Sequence, residues 1–436
     1  MGLNCICPSG HVFSATNARD GEQMQKRSIW AELLGIHGAV VEGVTLTGMV
    51  LQVAVRLRKG ASGCFAVCGE ECVGYDRLPR KSTWRSAPLG QVQVVLVCQL
   101  RRVKCATHGV LREYVPWARR ESLHTRAFED MTAWLATRMD KTSVGKFMQL
   151  TWSSVSNILE RVAEDRRELR GPLAPVHIGI DEVSYRKGHR YLTVVVDHAS
   201  GLLIFAAPGR SEETLRPFFE SLGTERCAAI ELVSMDACAA FKAAVATHCP
   251  NAKVTMDPFH VVQWMTKALD DVRRRLCRTL RGLGHEPEDL KGTRYVVLKN
   301  QENLTPAEGS MLDKLRRLNS PLFSAHLLKE QLRLAFKIKG AEGIATLERW
   351  LASATESGIP EVRKVATSVQ NNLDNIKHVL TTQVTNAKTE SLNNRIRLIT
   401  RQAFGFHSHE PLLALAFLKL GGLCPDLPYA SATHSG

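Results

Sequence analysis

The pattern of apolar and polar positions divides the chain into segments of different predicted structure. Runs in which apolar and polar residues alternate predict half-buried strands, and apolar residues three or four positions apart predict helices. The segments are a loose leader without periodicity (1–24), a strand-rich N-terminal region (25–120), a helical pair (121–170), alternating strands and helices (171–260), a polar helical region (261–385) and a final helical block (386–436). Together they predict a protein of the α/β class.

Residues 171–260 predict a particular order of strands. The runs "HIGID", "RYLTVVVD" and "LLIFAA" form three consecutive strands, and helix, strand, helix and strand follow them. This is the order of a ribonuclease H-like domain, in which the middle of the first strand and the end of the fourth lie side by side. Asp181 in the first strand and Asp236 at the end of the fourth are therefore expected to lie close together.

A third acid lies on a predicted helix near the C-terminus. The segment "TNAKTESLNNRIRLITRQAFGF" predicts a helix capped at Asn386 or Thr385. If this helix packs beside the sheet, Glu390 joins the two aspartates. Its predicted buried stripe is Leu392, Ile396, Ile399 and Ala403, and its predicted polar face is Glu390, Asn393, Asn394 and Arg397.

Converging carboxylates predict a site for divalent cations. Three acids repel one another unless cations neutralise them. Two Mg²⁺ ions about 3.5–4 Å apart, or Mn²⁺ in their place, activate a water or hydroxyl and stabilise the leaving oxygen of a phosphodiester displacement. For Asp181 alone, the alternative is an Arg-paired or exposed strand end. Asp257 and His260 in "DPFH", together with Asn394, are candidates for residues that surround the three acids. For "DPFH", the alternative is a capped helix start with a surface histidine.

Composition and charge narrow the expected partners. The 436 residues are 44% hydrophobic and 23% charged, which is typical of a soluble globular protein with a sizeable core. An excess of 57 Lys and Arg over 43 acids gives a net charge of +14, which favours a polyanion such as nucleic acid, although many basic proteins never touch DNA. The sequence predicts no membrane span and no secretory signal, so a cytoplasmic, nucleoid-associated location is expected.

The 12 cysteines of a chain without a secretion signal favour reduced thiols and a metal site over disulfides. The pair Cys64 and Cys68, followed by Cys105 and His108, has spacing that suits a structural, tetrahedral zinc ion. Cys72 is a rival ligand, and ordinary free cysteines are the alternative. Strand alternation instead places Cys98 among apolar side chains, as a small buried residue.

The same region is locally very basic. From Arg77 to Arg120 there are ten Lys and Arg residues against one acid, Glu113. Such density suits contacts to DNA phosphates, with Arg101, Arg102 and Lys104 as candidates, and a solvated surface is the alternative.

The segment "DKTSVGKFMQLTWSSVSNILERV", within residues 121–170, predicts a helix-turn-helix. Thr142 caps a first helix with Val144, Phe147 and Leu150 inward, and Thr151 makes the turn. A second helix places Val155, Ile158 and Leu159 inward. The turn lacks its usual glycine, and a plain helical hairpin is the alternative. The outer face of the second helix offers side chains that reach base edges: Ser153, Ser154, Asn157 and Arg161.

The motifs "IGIDEVSYRKGHRYLTVVVD", "VSMDACAAFKAAV", "DPFHVVQ" and "TNAKTESLNNRIRLITRQAFGF", in this order, resemble those of bacterial insertion-sequence transposases of the L-three family, a group of DDE enzymes. The resemblance implies a zinc ribbon, a helix-turn-helix, and a ribonuclease H-like catalytic domain with a helical insertion before the glutamate. It assigns the catalytic triad to Asp181, Asp236 and Glu390. Family members often have a cysteine where this chain has His108.

The resemblance also implies an activity and partners. It predicts an enzyme that binds the terminal inverted repeats of an insertion sequence and catalyses metal-dependent cleavage and transfer of DNA strands. Double-stranded DNA of the ends and the target is the expected partner, with a homodimer or higher oligomer on DNA and no membrane partner. A metal-dependent nuclease on the same scaffold and a non-catalytic DNA-binding regulator are the alternatives.

Overall fold

The computed structural model divides the chain into two compact units. One contains the residues up to Gly171 together with those from Gln402 onward, and the other spans Pro172–Arg401. The leader predicted for 1–24 lies outside the described residues. Within the described part, none of the helices combines the length and apolar character needed to cross a bilayer. The described residues are 29–59, 63–186, 188, 190–236, 238–284, 290–318, 321–403, 405–406 and 408–427.

The first unit begins with two small sheets. A four-stranded sheet has the order β1-β2-β5-β4, with β2 and β5 parallel, and a three-stranded antiparallel sheet has the order β3-β6-β7. Cys98 is buried with Val94 and Leu96, so the prediction of a small core cysteine is confirmed. The elements are α1 (Ile29–Leu33), β1 (Ala39–Thr47), β2 (Val50–Leu57), β3 (Val73–Arg77), β4 (Ser82–Leu89), β5 (Val92–Cys98), β6 (Arg101–Cys105) and β7 (Gly109–Arg112).

Three helices follow in the same unit: α2 (Arg126–Ala136), α3 (Lys141–Met148) and α4 (Trp152–Arg170). The predicted cap of α3 was wrong, because Asp140 and not Thr142 accepts the first free backbone N–H groups, each at 2.9 Å. Phe147 was also wrongly placed inward, and its side chain is 69% exposed. Gln149 adopts a left-handed conformation (φ 52°), which explains how the turn forms without glycine.

Thr151 caps α4, and Val155, Ile158 and Leu159 are buried as predicted. The apolar closing helix Glu410–Leu420 packs against α4 in this unit, where the Arg167 guanidinium lies 4.3 Å from the centre of the Phe417 ring. The apolar residues of this closing helix therefore cover α4, the second helix of the predicted pair.

The second unit is built on a five-stranded mixed sheet with the order β10-β9-β8-β11-β12. β8, β9 and β10 form an antiparallel meander, and β8, β11 and β12 are parallel. This confirms the predicted order of three strands, helix, strand, helix and strand. The elements are β8 (His177–Arg186), β9 (Arg190–Asp197), β10 (Leu203–Pro208), α5 (Glu212–Leu222), α6 (Thr224–Ala228), β11 (Leu232–Met235), α7 (Ala239–His248) and β12 (Lys253–Met256).

Strand alternation gives this sheet one apolar and one polar face. Ile178, Ile180, Val233 and Met235 lie in a core with the buried side chains of α5 and α7. The opposite face carries Gly179, Asp181 and, in register with Gly179 on the neighbouring strand, Ser234. The aspartates thus share the face that is not used by the apolar core.

Between Pro258 and Thr382, the helices of the second unit enclose a separate apolar core around Trp350. Several basic residues here are paired; Arg275, for example, forms an ion pair with Glu361 at 2.7 Å. The helices are α8 (Pro258–Gly282), α9 (Thr293–Leu298), α10 (Pro306–Arg317), α11 (Pro321–Ile338), α12 (Gly340–Glu356), α13 (Pro360–Gln370), α14 (Leu373–Thr382) and α15 (Ala387–Gln402).

Candidate active site

Three aspartates occupy neighbouring strands of the five-stranded sheet. Asp181 lies within β8, Asp236 directly follows β11, and Asp257 directly follows β12. Asp257 caps α8, because its side chain accepts a hydrogen bond of 2.8 Å from the backbone N–H of Phe259. The parallel arrangement of the strands therefore gathers the three carboxylates at one edge of the polar face.

The charges of these acids are coupled. Burial, together with the negative charge of Asp236, raises the pKa of Asp181 to about 7. Burial is also the main reason that the pKa of Asp257 is raised, and the charges of Asp236 and Glu390 add to it. Acids held this way are reluctant to ionise without a compensating cation.

His260 lies beside Asp236 in this site. Its Nδ1 is 3.0 Å from Asp236 Oδ1, and this contact is the main reason that the pKa of His260 is raised. The two atoms form an ion pair and not a well-aligned hydrogen bond, since both are buried and neither has a regular hydrogen-bond partner among the described residues. Asp236 Oδ1 is thus a buried oxygen whose cationic partner in this site is His260.

Helix α15 brings Glu390 to the same face. One turn after Glu390, the side chain of Asn393 is buried, and its Nδ2 donates a hydrogen bond of 2.7 Å to Asp181 Oδ2. The predicted polar face of α15 is therefore divided, because Asn393 on it is buried against Asp181. Its neighbour Asn394 is exposed and accepts a hydrogen bond of 2.8 Å from Arg397 Nη1. Glu390 itself is exposed, beside a shallow groove along the helix.

The start of α15 is held against the sheet by a buried polar chain. Ser234 Oγ donates to Asn386 Oδ1 at 3.0 Å, so it accepts from His198 Nε2, which lies 2.8 Å away. Burial, with a smaller contribution from Lys388, lowers the pKa of His198 to about 4, so the ring is neutral at pH 7. These hydrogen bonds link the end of β9, β11 and the start of α15, and they fix the position of Glu390 relative to the sheet.

Gly179 makes that close approach possible. A Cβ atom at this position would lie 2.2 Å from Thr389 Oγ1 and 3.1 Å from both His198 Nε2 and Ser234 Oγ. Gly179→Ala is therefore expected to displace the start of α15. Overpacking of this kind destabilises by ~1–3 kcal/mol, and we expect both a lower melting temperature and loss of DNA cleavage.

Gly309→Ala in α10 is the matched control for this prediction, because no atom lies within 4 Å of the added Cβ. Thermal unfolding and a cleavage assay check both variants. A Gly179→Ala protein that melts and cuts like the control would show that α15 does not need this close contact.

The donor set fits divalent cations. Within the described part of the chain, five of eight buried side-chain polar atoms without a hydrogen-bond partner belong to residues of this site: Asp236 Oδ1, Thr255 Oγ1, His260 Nδ1, Thr389 Oγ1 and Asn393 Oδ1. The oxygens of Asp181, Asp236 and Glu390 do not all lie within 4.8 Å of one another. A pair of ions about 3.5–4 Å apart tolerates such spacing, because outer ligands then bind opposite ends of the pair.

A second candidate metal centre lies in the first unit. Cys68, Cys105 and His108 have ligand atoms within 4.8 Å of one another; the two sulfurs are 3.9 Å apart, and Cys105 Sγ is 3.3 Å from His108 Nδ1. The hydrogen bond to His108 is the main reason that the pKa of Cys105 is lowered to about 6. Soft donors in this arrangement suit zinc.

The fourth position of this centre has two candidates. Cys64, the ligand favoured by spacing, is buried at a bridge to Glu71 and is not part of the group of three. The pKa of Cys72 is raised by burial and next by Cys105, so these two thiols are neighbours. The sequence already offers Cys72 as a rival ligand, and its proximity to Cys105 favours it over Cys64.

The predicted DNA-contacting residues differ in their surroundings. Arg101 pairs with buried Glu113 at 3.0 Å, Arg102 pairs with Asp76, and Lys104 is exposed. On α4, Ser153 and Asn157 are exposed, and the Ser154 N–H donates to the cap Thr151. Arg161 instead forms hydrogen bonds of 2.6 and 2.9 Å to buried Glu129. Of the four candidates on α4, Ser153 and Asn157 in its first two turns are therefore the exposed ones.

Similarity to known proteins identifies the class of this protein. A family model for DDE transposases of the ISL3 group, described as Transposase, matches residues 178–415, and the model for the helix-turn-helix domain of transposase family ISL3 matches residues 113–163. The chain is 41% identical over 383 residues to the transposase for insertion sequence element IS1557 of Mycobacterium tuberculosis, covering 83% of this chain and 86% of the relative.

A second relative agrees with the first. The transposase for insertion sequence element IS1001 of Bordetella parapertussis is 30% identical over 371 residues, covering 82% of this chain and 88% of that protein. The helix-turn-helix and the carboxylate face thus belong to a transposase of the DDE type. The chain belongs to the ISL3 family of insertion-sequence transposases. The predicted family and the predicted transposase function are confirmed.

Proposed function

We propose that this transposase binds the terminal inverted repeats of its insertion sequence and catalyses Mg²⁺-dependent DNA cleavage and strand transfer on a ribonuclease H-like fold. The observation that carries the proposal is the coupling of Asp181 and Asp236 on one sheet face, beneath the helix that presents Glu390. The strand order and the antiparallel second strand support the fold assignment.

In this proposal the three acids hold two divalent cations, Mg²⁺ or Mn²⁺. When bound, these ions activate the attacking water or hydroxyl and stabilise the leaving oxygen. Asp181 gives up its proton as the site fills, because a bound cation offsets the burial and the Asp236 charge that raise its pKa. His260 keeps the Asp236 carboxylate oriented, and Asp257 adds negative charge behind it while capping α8.

The first unit supplies DNA binding in this proposal. Ser153, Ser154 and Asn157 at the start of α4 read base edges, and Lys104 contacts phosphates beside a structural zinc ion. Arg102 and Arg161 reach DNA only by exchanging their present acidic partners. Pairing two ends requires a homodimer or larger assembly on DNA, in a nucleoid-associated location.

The raised pKa values predict a pH dependence of stability. The unfolded chain ionises Asp181 near its ordinary value of 3.8, whereas the folded protein keeps the proton up to about pH 7. The folded state therefore binds the extra proton, and its stability falls by up to ~4 kcal/mol as the pH rises from 4 through 7. His260, whose folded pKa is also raised, acts in the same direction because its stabilising charge is lost as pH rises.

Melting temperatures of the chelator-treated protein at pH 5 and pH 8 check this prediction. Asp181→Asn has no such charge, so the variant should melt above the wild type at pH 8 and close to it at pH 5. An equal difference at both pH values would contradict the raised pKa of Asp181.

Incubation of the purified protein with a duplex of the element end and a target duplex tests the proposed function. With Mg²⁺ we expect cleavage at the end and joined products, and with EDTA neither. Cleavage without joining would instead support the nuclease alternative. Cleavage that persists in EDTA would exclude a metal-dependent reaction.

A further inference from the structure

The surroundings of Asn393 do not match those of an ordinary helix residue. Its side chain is only 2% exposed within α15, although asparagine is a poor helix former and gains nothing from apolar burial. Neither helix propensity nor core packing therefore accounts for an amide at this position.

The nitrogen and the oxygen of the Asn393 amide have different surroundings. Nδ2 donates to Asp181 Oδ2 at 2.7 Å, while Oδ1 is buried and has no hydrogen-bond partner among the described residues. Nδ2 also lies 3.5 Å from the backbone carbonyl oxygen of Glu182, which can only accept a hydrogen bond, so Asn393 presents its NH₂ group on this side. The carbonyl oxygen is thereby left without any donor from the described protein, and a buried acceptor of this kind needs one.

A ligand bound by the acids is the best source of the hydrogen-bond donor that Asn393 Oδ1 lacks. Asp181 already accepts a hydrogen bond of 2.7 Å on Oδ1 from the backbone N–H of Glu182, so the two bonds together fix its rotamer. A small divalent cation keeps several waters when it binds to carboxylates, and each water is a donor. An amide oxygen beside a ligating carboxylate is well suited to receive one of them.

We infer that Asn393 is a positioning residue for the metal site: its NH₂ group orients Asp181, and its carbonyl oxygen accepts a hydrogen bond from the hydration shell of the bound cation. This inference rests on the proposed metal-dependent function. Residues that hold a metal-ligating side chain in this way change metal affinity or activity by about 10–100-fold when they are replaced.

Asn393→Leu tests the inference, because leucine has a similar volume and lacks both polar ends. Calorimetric titration of the intact, DNA-free protein with Mn²⁺ should give a Kd about 10–100-fold weaker than that of the wild type. The variant loses a buried unpaired carbonyl and also the hydrogen bond that Nδ2 donates to Asp181 Oδ2; these effects on stability oppose each other, so the metal-free variant should melt close to the wild-type temperature. Lower metal affinity without lower metal-free stability is a result that a purely structural role does not give.

Thr400→Ala, farther along α15, is the matched control and should keep the wild-type Kd. If Asn393→Leu does not fold, Asn393→Ala replaces it with the same expected loss of affinity. Wild-type Mn²⁺ affinity in a folded Asn393 variant overturns the inference, and so does a metal-free variant that melts well below the wild type. Absence of Mn²⁺ binding by the wild type would instead count against the proposed function.

Discussion

Replacement of Asp181 or Asp236 by Asn, or of Glu390 by Gln, is expected to abolish strand cleavage and leave binding to the element end nearly intact. Each change removes one anionic ligand from a site whose acids are already coupled in charge. Metal ions supply several kcal/mol of transition-state stabilisation, so loss of a ligand should lower the cleavage rate by about 10³-fold or more.

Binding should survive these substitutions because the proposed DNA-reading residues lie on a different unit from the acids. Single-turnover cleavage with Mg²⁺ and an electrophoretic binding assay measure the two properties separately. Asp197→Asn is the control: Asp197 accepts hydrogen bonds from Ala199 and Ser200 in a turn, a role that asparagine also fills. Undiminished cutting by any one of the three variants would remove that residue from the active site.

Cys105→Ser is expected to release zinc and to weaken binding to the element end by at least about tenfold, because a structural ion folds the loops that it joins. Cys105 contacts both Cys68 and His108, so its loss removes the centre of the group. Metal analysis should find about one zinc per wild-type chain and almost none in the variant. Cys277→Ser, in the other unit, should change neither zinc content nor binding.

The same measurement distinguishes the two candidates for the fourth ligand. If Cys72 completes the centre, Cys72→Ser loses zinc while Cys64→Ser keeps it, and the reverse result restores the ligand that spacing favours. Wild-type protein purified without chelators and free of zinc would contradict the metal centre altogether.

Local sequence patterns predicted the parts of the site that depend on period and order. Side chains along β8 alternate between the two faces of the sheet, which places Asp181 opposite the apolar core. The order of strands places β11 beside β8, so that Asp181 and Asp236 are neighbours. The helical period likewise predicted Leu392, Ile396 and Ile399 as the buried stripe of α15. These features follow from backbone geometry, which a single segment already specifies.

The missed features depend on partners distant in the chain. Asn393 has a polar side chain next to the apolar stripe, and only contact with Asp181 explains its burial. Arg161 belongs to the polar face of α4, yet Glu129 on α2 binds it. Phe147 follows helical spacing and is nevertheless exposed. In each case the sequence gives the chemical type of the residue and not the neighbour that decides its position.

Anomalous diffraction from a crystal soaked in Mn²⁺ tests most directly whether the three acids form one metal site. We expect a peak with oxygens of Asp181, Asp236 and Glu390 within about 2.0–2.6 Å, the range for hard divalent cations. A peak elsewhere, or none at these carboxylates in a crystal that has bound Mn²⁺, would contradict the assignment of catalysis to this face of the sheet.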